Sequence, residues 1–219
     1  MTATRRNNPR EERRLVHQEL SRTQLLDAAE QIFGQKGFHD TTLKEIAEQA
    51  DFSVGSVYSF FENKDDLYVS VWLRRGAEFV SGFEAAIDGA EDGIAGIARI
   101  VDYEVTFLRS RPSFSNLYLR TTGHLVPVAS EMTSAQIAEN AEHILRRQAE
   151  VIATGQADGS VRAGDPASLS RLLSAMVQAF QSVDRTGSGA AGAGLTLEEF
   201  QEIIRGTFVA SRGQGSRIQ

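Results

Sequence analysis

The sequence predicts an all-α protein, with an N-terminal three-helix domain carrying a helix-turn-helix and a larger C-terminal helical bundle. Three observations lead there. Apolar residues recur at helical period from one end of the chain to the other, and no stretch alternates as a half-buried strand does. Two capping boxes, Thr42 with Glu45 and Thr196 with Glu199, mark helix starts outright. Proline, which interrupts helices, occurs only four times in 219 residues.

Composition narrows the class. At 41% hydrophobic, the chain can build one large core or two smaller ones. It has no cysteine, which excludes disulfides, thiolate metal sites and thiol nucleophiles. No apolar run reaches membrane-spanning length, and the Arg-rich start has no apolar signal core, so a soluble cytoplasmic protein with no membrane partner is expected. The net charge of −6 is unevenly spread. Residues 1–20 hold five Arg against three Glu, whereas residues 21–68 hold four basic and nine acidic side chains.

The elements follow in order. Residues 1–20 read as an Arg-rich arm, with Arg5, Arg6, Arg10, Arg13 and Arg14 around Pro9. Such a segment is either a solvated tail or an arm that reaches phosphates or a minor groove. Its part from Glu11 to Leu20 can be helical and continue onward. Leu25, Ala28, Ala29, Ile32 and Phe33 then form one apolar stripe over Ser21–Gln35, closed by Gly37. A helix from about Lys64 past Phe79 has apolar residues on more than one side. The stretch 88–93 is a loop. Ile94 to Leu108 keeps helical period and stops before Pro112, and Phe114 to Thr121 gives a shorter helix. A long helix is expected over Ser130–Ala153, a loop over 155–164, and a helix opened by Asp165 and Pro166. The Gly-rich stretch 187–194 is a linker, and a last helix carries Phe200, Ile203, Ile204 and Phe208.

The most informative stretch is Thr41–Leu67. Thr42 caps a helix whose Leu43, Ile46, Ala47 and Ala50 share a face. Asp51-Phe52-Ser53 is a turn, Ser53 caps a second short helix, and Val57 and Phe61 point inward at i, i+4. Two short helices joined this tightly read as a helix-turn-helix, whose second helix enters the DNA major groove. An ordinary pair of core helices gives the same pattern.

This block resembles the DNA-binding domain of the TetR family of bacterial transcriptional regulators. The likeness rests on Thr42, Ile46, Ala47, Ala50, Ser53, Gly55, Val57, Tyr58, Phe61, Lys64 and Leu67, and upstream on Leu25, Ala28, Ala29, Phe33, Gly37 and Phe38. It covers roughly Arg22 to Leu67. It departs from the family at Asp51, where a turn glycine is usual, at Val54, where lysine is common, and at Ser59 and Phe60, where Tyr and His are frequent. The resemblance implies a homodimer on a double-stranded DNA operator, most simply a repressor released by a small-molecule effector. It divides the chain into an arm (1–20), a DNA-binding domain (21–67) and a ligand-binding and dimerisation domain (68–219). In the dimer, the helices near 130–153 and 166–184 pair with their symmetry mates.

Site expectations follow from resemblance and side-chain chemistry together. Thr42, Ser53, Tyr58 and Lys64 supply donors to phosphate. Val54, Gly55, Ser56 and Ser59 lie at the start and outer face of the second helix and are the base-edge candidates. For a largely apolar effector, the wall residues are Phe83, Phe107, Phe114 and Tyr118, with Tyr103, Asn116, Thr121, His124 and Gln178 as the few polar groups. No cofactor, metal site or catalytic constellation is expected, and the chain does not read as an enzyme. Glu139 and His143 share a helical face, but a solvated pair accounts for them. The alternative reading is a helical ligand-binding or interaction protein whose DNA-binding role has decayed.

Overall fold

The computed structural model describes residues 9–121, 131–186 and 194–210. Among these residues the chain forms nine helices: α1 Pro9–Lys36, α2 Leu43–Gln49, α3 Val54–Tyr58, α4 Lys64–Ile87, α5 Gly93–Arg109, α6 Pro112–Thr121, α7 Glu131–Asp158, α8 Pro166–Thr186 and α9 Leu197–Phe208. The strand-like pairing among them is an isolated antiparallel bridge between Val161 and Val209. No helix among the described residues is long and apolar enough to cross a membrane.

The chain divides into two compact units, and the division falls inside α4, between Arg74 and Arg75. The first unit holds α1–α3, the start of α4 and α6. The second holds the rest of α4, α5, α7 from Ala135, α8 and α9. The first unit thus reaches past the boundary expected at Leu67 and takes in α6. A glycine explains how α6 gets so close: a Cβ at Gly34 of α1 would lie 2.4 Å from the Ser113 carbonyl oxygen. Beside it, the Arg120 guanidinium donates to the Gln35 carbonyl at 3.0 Å, satisfying a carbonyl at the α1 C-terminus.

The core of the first unit is built from the stripes read in the sequence. Leu25, Leu26, Ala29, Phe33, Ile46, Ala47, Val57, Phe61, Leu67 and Val71 are buried. Each large apolar side chain removed from water contributes on the order of 1.5–3 kcal/mol. Edge-to-face aromatic contacts extend this core, Phe33 to Tyr68 at 5.0 Å and Trp72 to Phe114 at 5.3 Å. Arg74 of α4 reaches Asp27 and Glu30 of α1 at 2.7 and 3.0 Å.

In the second unit, Phe83, Ile97, Ile100, Val101, Ile144, Ile152, Leu173, Val177, Phe180, Phe200, Ile204 and Phe208 form one cluster. Phe180 and Phe200 stack at 4.3 Å. Through the cluster runs a polar chain. The Gln148 amide donates to Glu104 at 2.8 Å, and the Ser174 hydroxyl donates to Gln148 at 3.0 Å. Burial pushes the Glu104 carboxyl up to about 7.

Two helix boundaries differ from the sequence reading. α1 starts at Pro9, two residues before the helical stretch expected from Glu11, and residues 9–20 are exposed throughout. α7 runs to Asp158 and claims the first residues of the expected loop at 155–164. The reason is Gly155, which sits buried in the helix because the backbone of Gly93 passes over it. A Cβ at Gly93 would fall 2.1 Å from the Gly155 Cα. Gly159, at φ 83°, then ends the helix. Residues 187–193 of the expected linker (187–194), and all residues beyond 210, lie outside the described residues.

Candidate nucleic-acid interface

Local hydrogen bonding fixes α2, the turn and α3. At α2, the Thr42 hydroxyl accepts from the Glu45 amide at 3.3 Å, and the Glu45 carboxylate accepts from the Thr42 amide at 2.9 Å. Lys36, at the end of α1, forms an ion pair with the same carboxylate. The Lys36 hydrogen bond, followed by those of Thr42, holds the Glu45 carboxyl down to about 2.

The turn ends α2 with crossed hydrogen bonds. The Phe52 amide reaches the Ala47 carbonyl at 2.8 Å, and the Asp51 amide reaches Glu48 at 3.3 Å. This closure needs a left-handed residue between them. Asp51 supplies it at φ 60°, the one described non-glycine residue with positive φ. The missing turn glycine is therefore tolerated, because a short polar side chain carries the strain at modest cost.

α3 is a single turn and a half standing on two anchors. Val57 is fully buried and Phe61 nearly so. Ser53 caps the helix by accepting from the Ser56 amide at 3.0 Å. Outward lie Ser53, Gly55, Tyr58 and Ser59, with Val54 and Ser56 half-buried. A Cβ at Gly55 would meet nothing closer than the Ser53 hydroxyl at 3.8 Å, so this face is open to a close approach. The hydroxyls of Ser53 and Ser56 lie 2.8 Å apart, and Ser59 donates to the Ser56 carbonyl at 2.6 Å. One hydroxyl proton of the Ser53–Ser56 pair lies between the two oxygens and the Ser59 proton lies on the carbonyl, so the face offers serine oxygens as acceptors and one hydroxyl still able to donate.

Part of the acidity of this block is answered within the protein. Asp27 and Glu30 meet Arg74, Glu45 meets Lys36, and Glu48 meets Lys44 at 3.7 Å. Asp66 accepts from the Glu62 amide at 2.9 Å, just ahead of α4. The sequence reading did not single out Lys36 and Lys44. Lys36 could not be found by spacing, because its partner lies across a turn. Lys44 shows only as an i, i+4 pair with Glu48.

The remaining candidates fall as follows. Thr42 is exposed, its hydroxyl also donating to Glu45 at 2.9 Å. Tyr58 is 57% exposed. Lys64 turns inward: its ammonium donates to the carbonyls of Phe38 at 2.8 Å and Thr41 at 2.9 Å. Arg10, Arg13 and Arg14 lie on the exposed first half of α1, while Arg5 and Arg6 lie outside the described residues. His143, read above as a solvated pair with Glu139, meets Glu84 at 3.0 Å.

The effector candidates fall into two aromatic groups. Phe83, Tyr103 and Phe107 gather around Phe79 in the second unit, with the Tyr103 hydroxyl on the Phe79 carbonyl at 2.9 Å. Gln178 is half-buried on α8. Phe114 and Tyr118 gather around Trp72 in the first unit, with Asn116 half-buried on the same helix. The side chain of Thr121, and all of His124, lie outside the described residues. Within the second unit, one cleft of about 360 Å³ lies between α5 and α9. Another of about 690 Å³ lies between the α4–α5 turn and α7. None of the expected effector residues lines either cleft. The sequence reading gave Trp72 no polar role, yet its indole nitrogen is buried without a hydrogen-bond partner.

Comparison with known proteins bears on this geometry. The sequence profile described as "Bacterial regulatory proteins, tetR family" matches residues 25–71, the span that includes α2, α3 and their anchors. The fatty acid metabolism regulator protein of Bacillus subtilis (strain 168) is 31% identical over 64 residues, covering 29% of this chain and 33% of that protein. The match thus spans about a third of that relative's length. Among solved structures, FadR from Bacillus subtilis in complex with stearoyl-CoA superposes with a TM-score of 0.70 at 17% identity, covering 83% of this chain and 96% of that one. AibR in complex with isovaleryl coenzyme A and operator DNA gives 0.71 at 16%, covering 85% and 96%. At such identities these structures speak for the fold. Profile, relative and fold agree with the helix-turn-helix geometry: residues 25–71 match the tetR family of bacterial regulatory proteins, and the chain as a whole shares the fold of the solved structures.

Proposed function

We propose that the protein is a DNA-binding transcriptional regulator, a repressor that leaves a palindromic operator when a small, largely apolar ligand binds. The observation that carries this is α3, a short helix pinned by Val57 and Phe61 whose opposite side offers Gly55, Tyr58 and Ser59 to solvent. In this reading Thr42, Ser53 and Tyr58 bind phosphates, and Lys44 assists from the exposed side of α2. Val54 meets a thymine methyl, Gly55 admits the base edge, and the oxygens of Ser56 and Ser59 accept from cytosine or adenine amino groups. Arg5, Arg6, Arg10, Arg13 and Arg14 reach phosphates or the minor groove from the N-terminal side. The protein works in the cytoplasm and performs no catalysis.

The protein acts as a homodimer. α8 exposes Leu172, Ala175, Ala179 and Val183 along one side at a spacing that suits helix pairing. The effector carries an acyl chain. The aromatic groups around Phe79 and Trp72 favour an apolar body, and two proteins of this fold are known with acyl-CoA ligands.

Selection of bound duplexes from a randomised pool, followed by footprinting, tests the reading. The expected product is a palindrome whose half-sites lie about 34–36 Å apart or a multiple of that, bound by a dimer in light scattering. Failure to enrich any sequence would leave a helical ligand-binding protein without a DNA role.

A further inference from the structure

Lys64 opens α4, a position where a cation is poorly placed. The N-terminus of a helix carries partial positive charge, which suits the neighbouring Asp65 and Asp66 and disfavours an ammonium. The side chain bends away from that end. Its Nζ donates to the carbonyls of Phe38 at 2.8 Å and Thr41 at 2.9 Å, and faces that of His39 at 3.5 Å. It also sits 4.3 Å above the Phe38 ring. An ammonium has three protons, and three carbonyls converge on this one.

Those carbonyls belong to the turn between α1 and α2. Gly37, at φ 83°, starts the turn, and its amide closes α1 onto the Phe33 carbonyl at 2.8 Å. Thr41 is buried, with its hydroxyl on the Gly37 carbonyl at 2.7 Å. The next residue, Thr42, caps α2. The ammonium thus holds a turn whose last residue decides where α2 begins, 22 positions before Lys64 in sequence.

We propose that Lys64 is a positioning residue for the DNA-reading pair: its ammonium ties the α1–α2 turn to the start of α4 and makes no phosphate contact of its own. This rests on the DNA-binding reading above for its consequence, but the tie itself is a property of the free protein. The distinction has content because a phosphate contact and a structural tie respond differently to the same substitutions. A phosphate partner is served by any cation of similar reach. A convergent set of three carbonyls is served by a compact ammonium and not by a planar guanidinium, whose donors sit on separate nitrogens.

Two variants and two measurements decide it. In DNA-free protein, Lys64→Met is expected to raise hydrogen exchange at the amides of Glu45 and Ile46 at least tenfold, with α5 and α8 unchanged. On a duplex selected by the wild-type protein from a randomised pool, Lys64→Arg is expected to bind at least tenfold more weakly despite keeping its charge. For both variants the slope of log affinity against log salt should equal that of the wild type. Wild-type affinity in Lys64→Arg would overturn the proposal. So would a slope lowered by about one unit in Lys64→Met, the mark of a lost phosphate contact. Unchanged exchange in Lys64→Met would overturn it without reference to DNA. Failure of the wild-type protein to select any duplex would instead defeat the DNA reading, and exchange would still judge the tie.

Discussion

The reading pair and the core of the second unit are held by opposite means. α2 and α3 are seven and five residues long, below the length at which a helix persists by itself. They persist through caps, crossed turn bonds, an inward lysine and two apolar anchors. The second unit joins long helices through a continuous apolar cluster, in which the polar chain from Glu104 to Ser174 is an interruption. A surface meant for a partner must keep one side bare, so its own stability has to come from behind and from its ends. A core with no such duty can rely on burial.

The largest expected effect tests the anchors. Phe61→Ala removes a nearly fully buried ring beneath α3 and should cost about 3–5 kcal/mol in urea unfolding. It should also abolish duplex binding while leaving the second unit's near-ultraviolet signal intact. Loss of both units together would mean that the reading pair has no stability of its own.

Next comes the interruption in the other core. The unfolded chain gives up the Glu104 proton near 4.5 and the folded chain near 7. Between those values the folded state holds more protons, so stability falls as pH rises through the window and the loss is complete above about 7. It amounts to something on the order of 3 kcal/mol. Glu104→Gln should flatten that fall when unfolding is compared at pH 5 and pH 8. A variant with the wild-type slope would place the titration elsewhere.

The two capping boxes sharpen the contrast because they are chemically alike. Thr42→Ala and Thr196→Ala should each cost about 1 kcal/mol of stability. Only Thr42→Ala should also weaken duplex binding, since the other box opens α9, far along the chain. Equal loss of binding in both would show that cap strength acts through global stability alone. The smallest effect concerns the turn. Asp51→Gly relieves a left-handed residue and should raise the melting temperature slightly, by less than about 1 kcal/mol of stability. A lower melting temperature would mean that the Asp51 side chain has a bonding role beyond its backbone shape.

What could be read in advance follows from the range of each interaction. Ile46, Val57 and Phe61 were legible because their burial is written in a helical period, and Thr42 with Glu45 because a cap spans three residues. The left-handed Asp51 was legible from its place in the turn. Lys64 was not, since its partners are main-chain carbonyls 23–26 residues away, and carbonyls leave no mark in a sequence. Gly155 was misread because Gly, Asp and Ala together look like a loop, whereas here a glycine inside a helix makes room for the backbone of Gly93. The aromatic residues show the remaining limit. Side-chain chemistry picked Phe83, Phe107, Phe114 and Tyr118 as wall residues but could not tell which helix faces meet, and they divide between two groups.

Trp72 gives the molecule a built-in lamp. It is the single tryptophan of the chain, 8% exposed, with its indole N–H unpaired and the rings of Phe114 and Tyr118 alongside. Emission from such a site is blue-shifted and comes from one place only. An oxygen atom brought to that nitrogen, or a water admitted beside it, would move the spectrum to the red. A shift in this emission, with no label added, therefore reports a change at α4 close to Arg74, where the chain passes from one compact unit to the other.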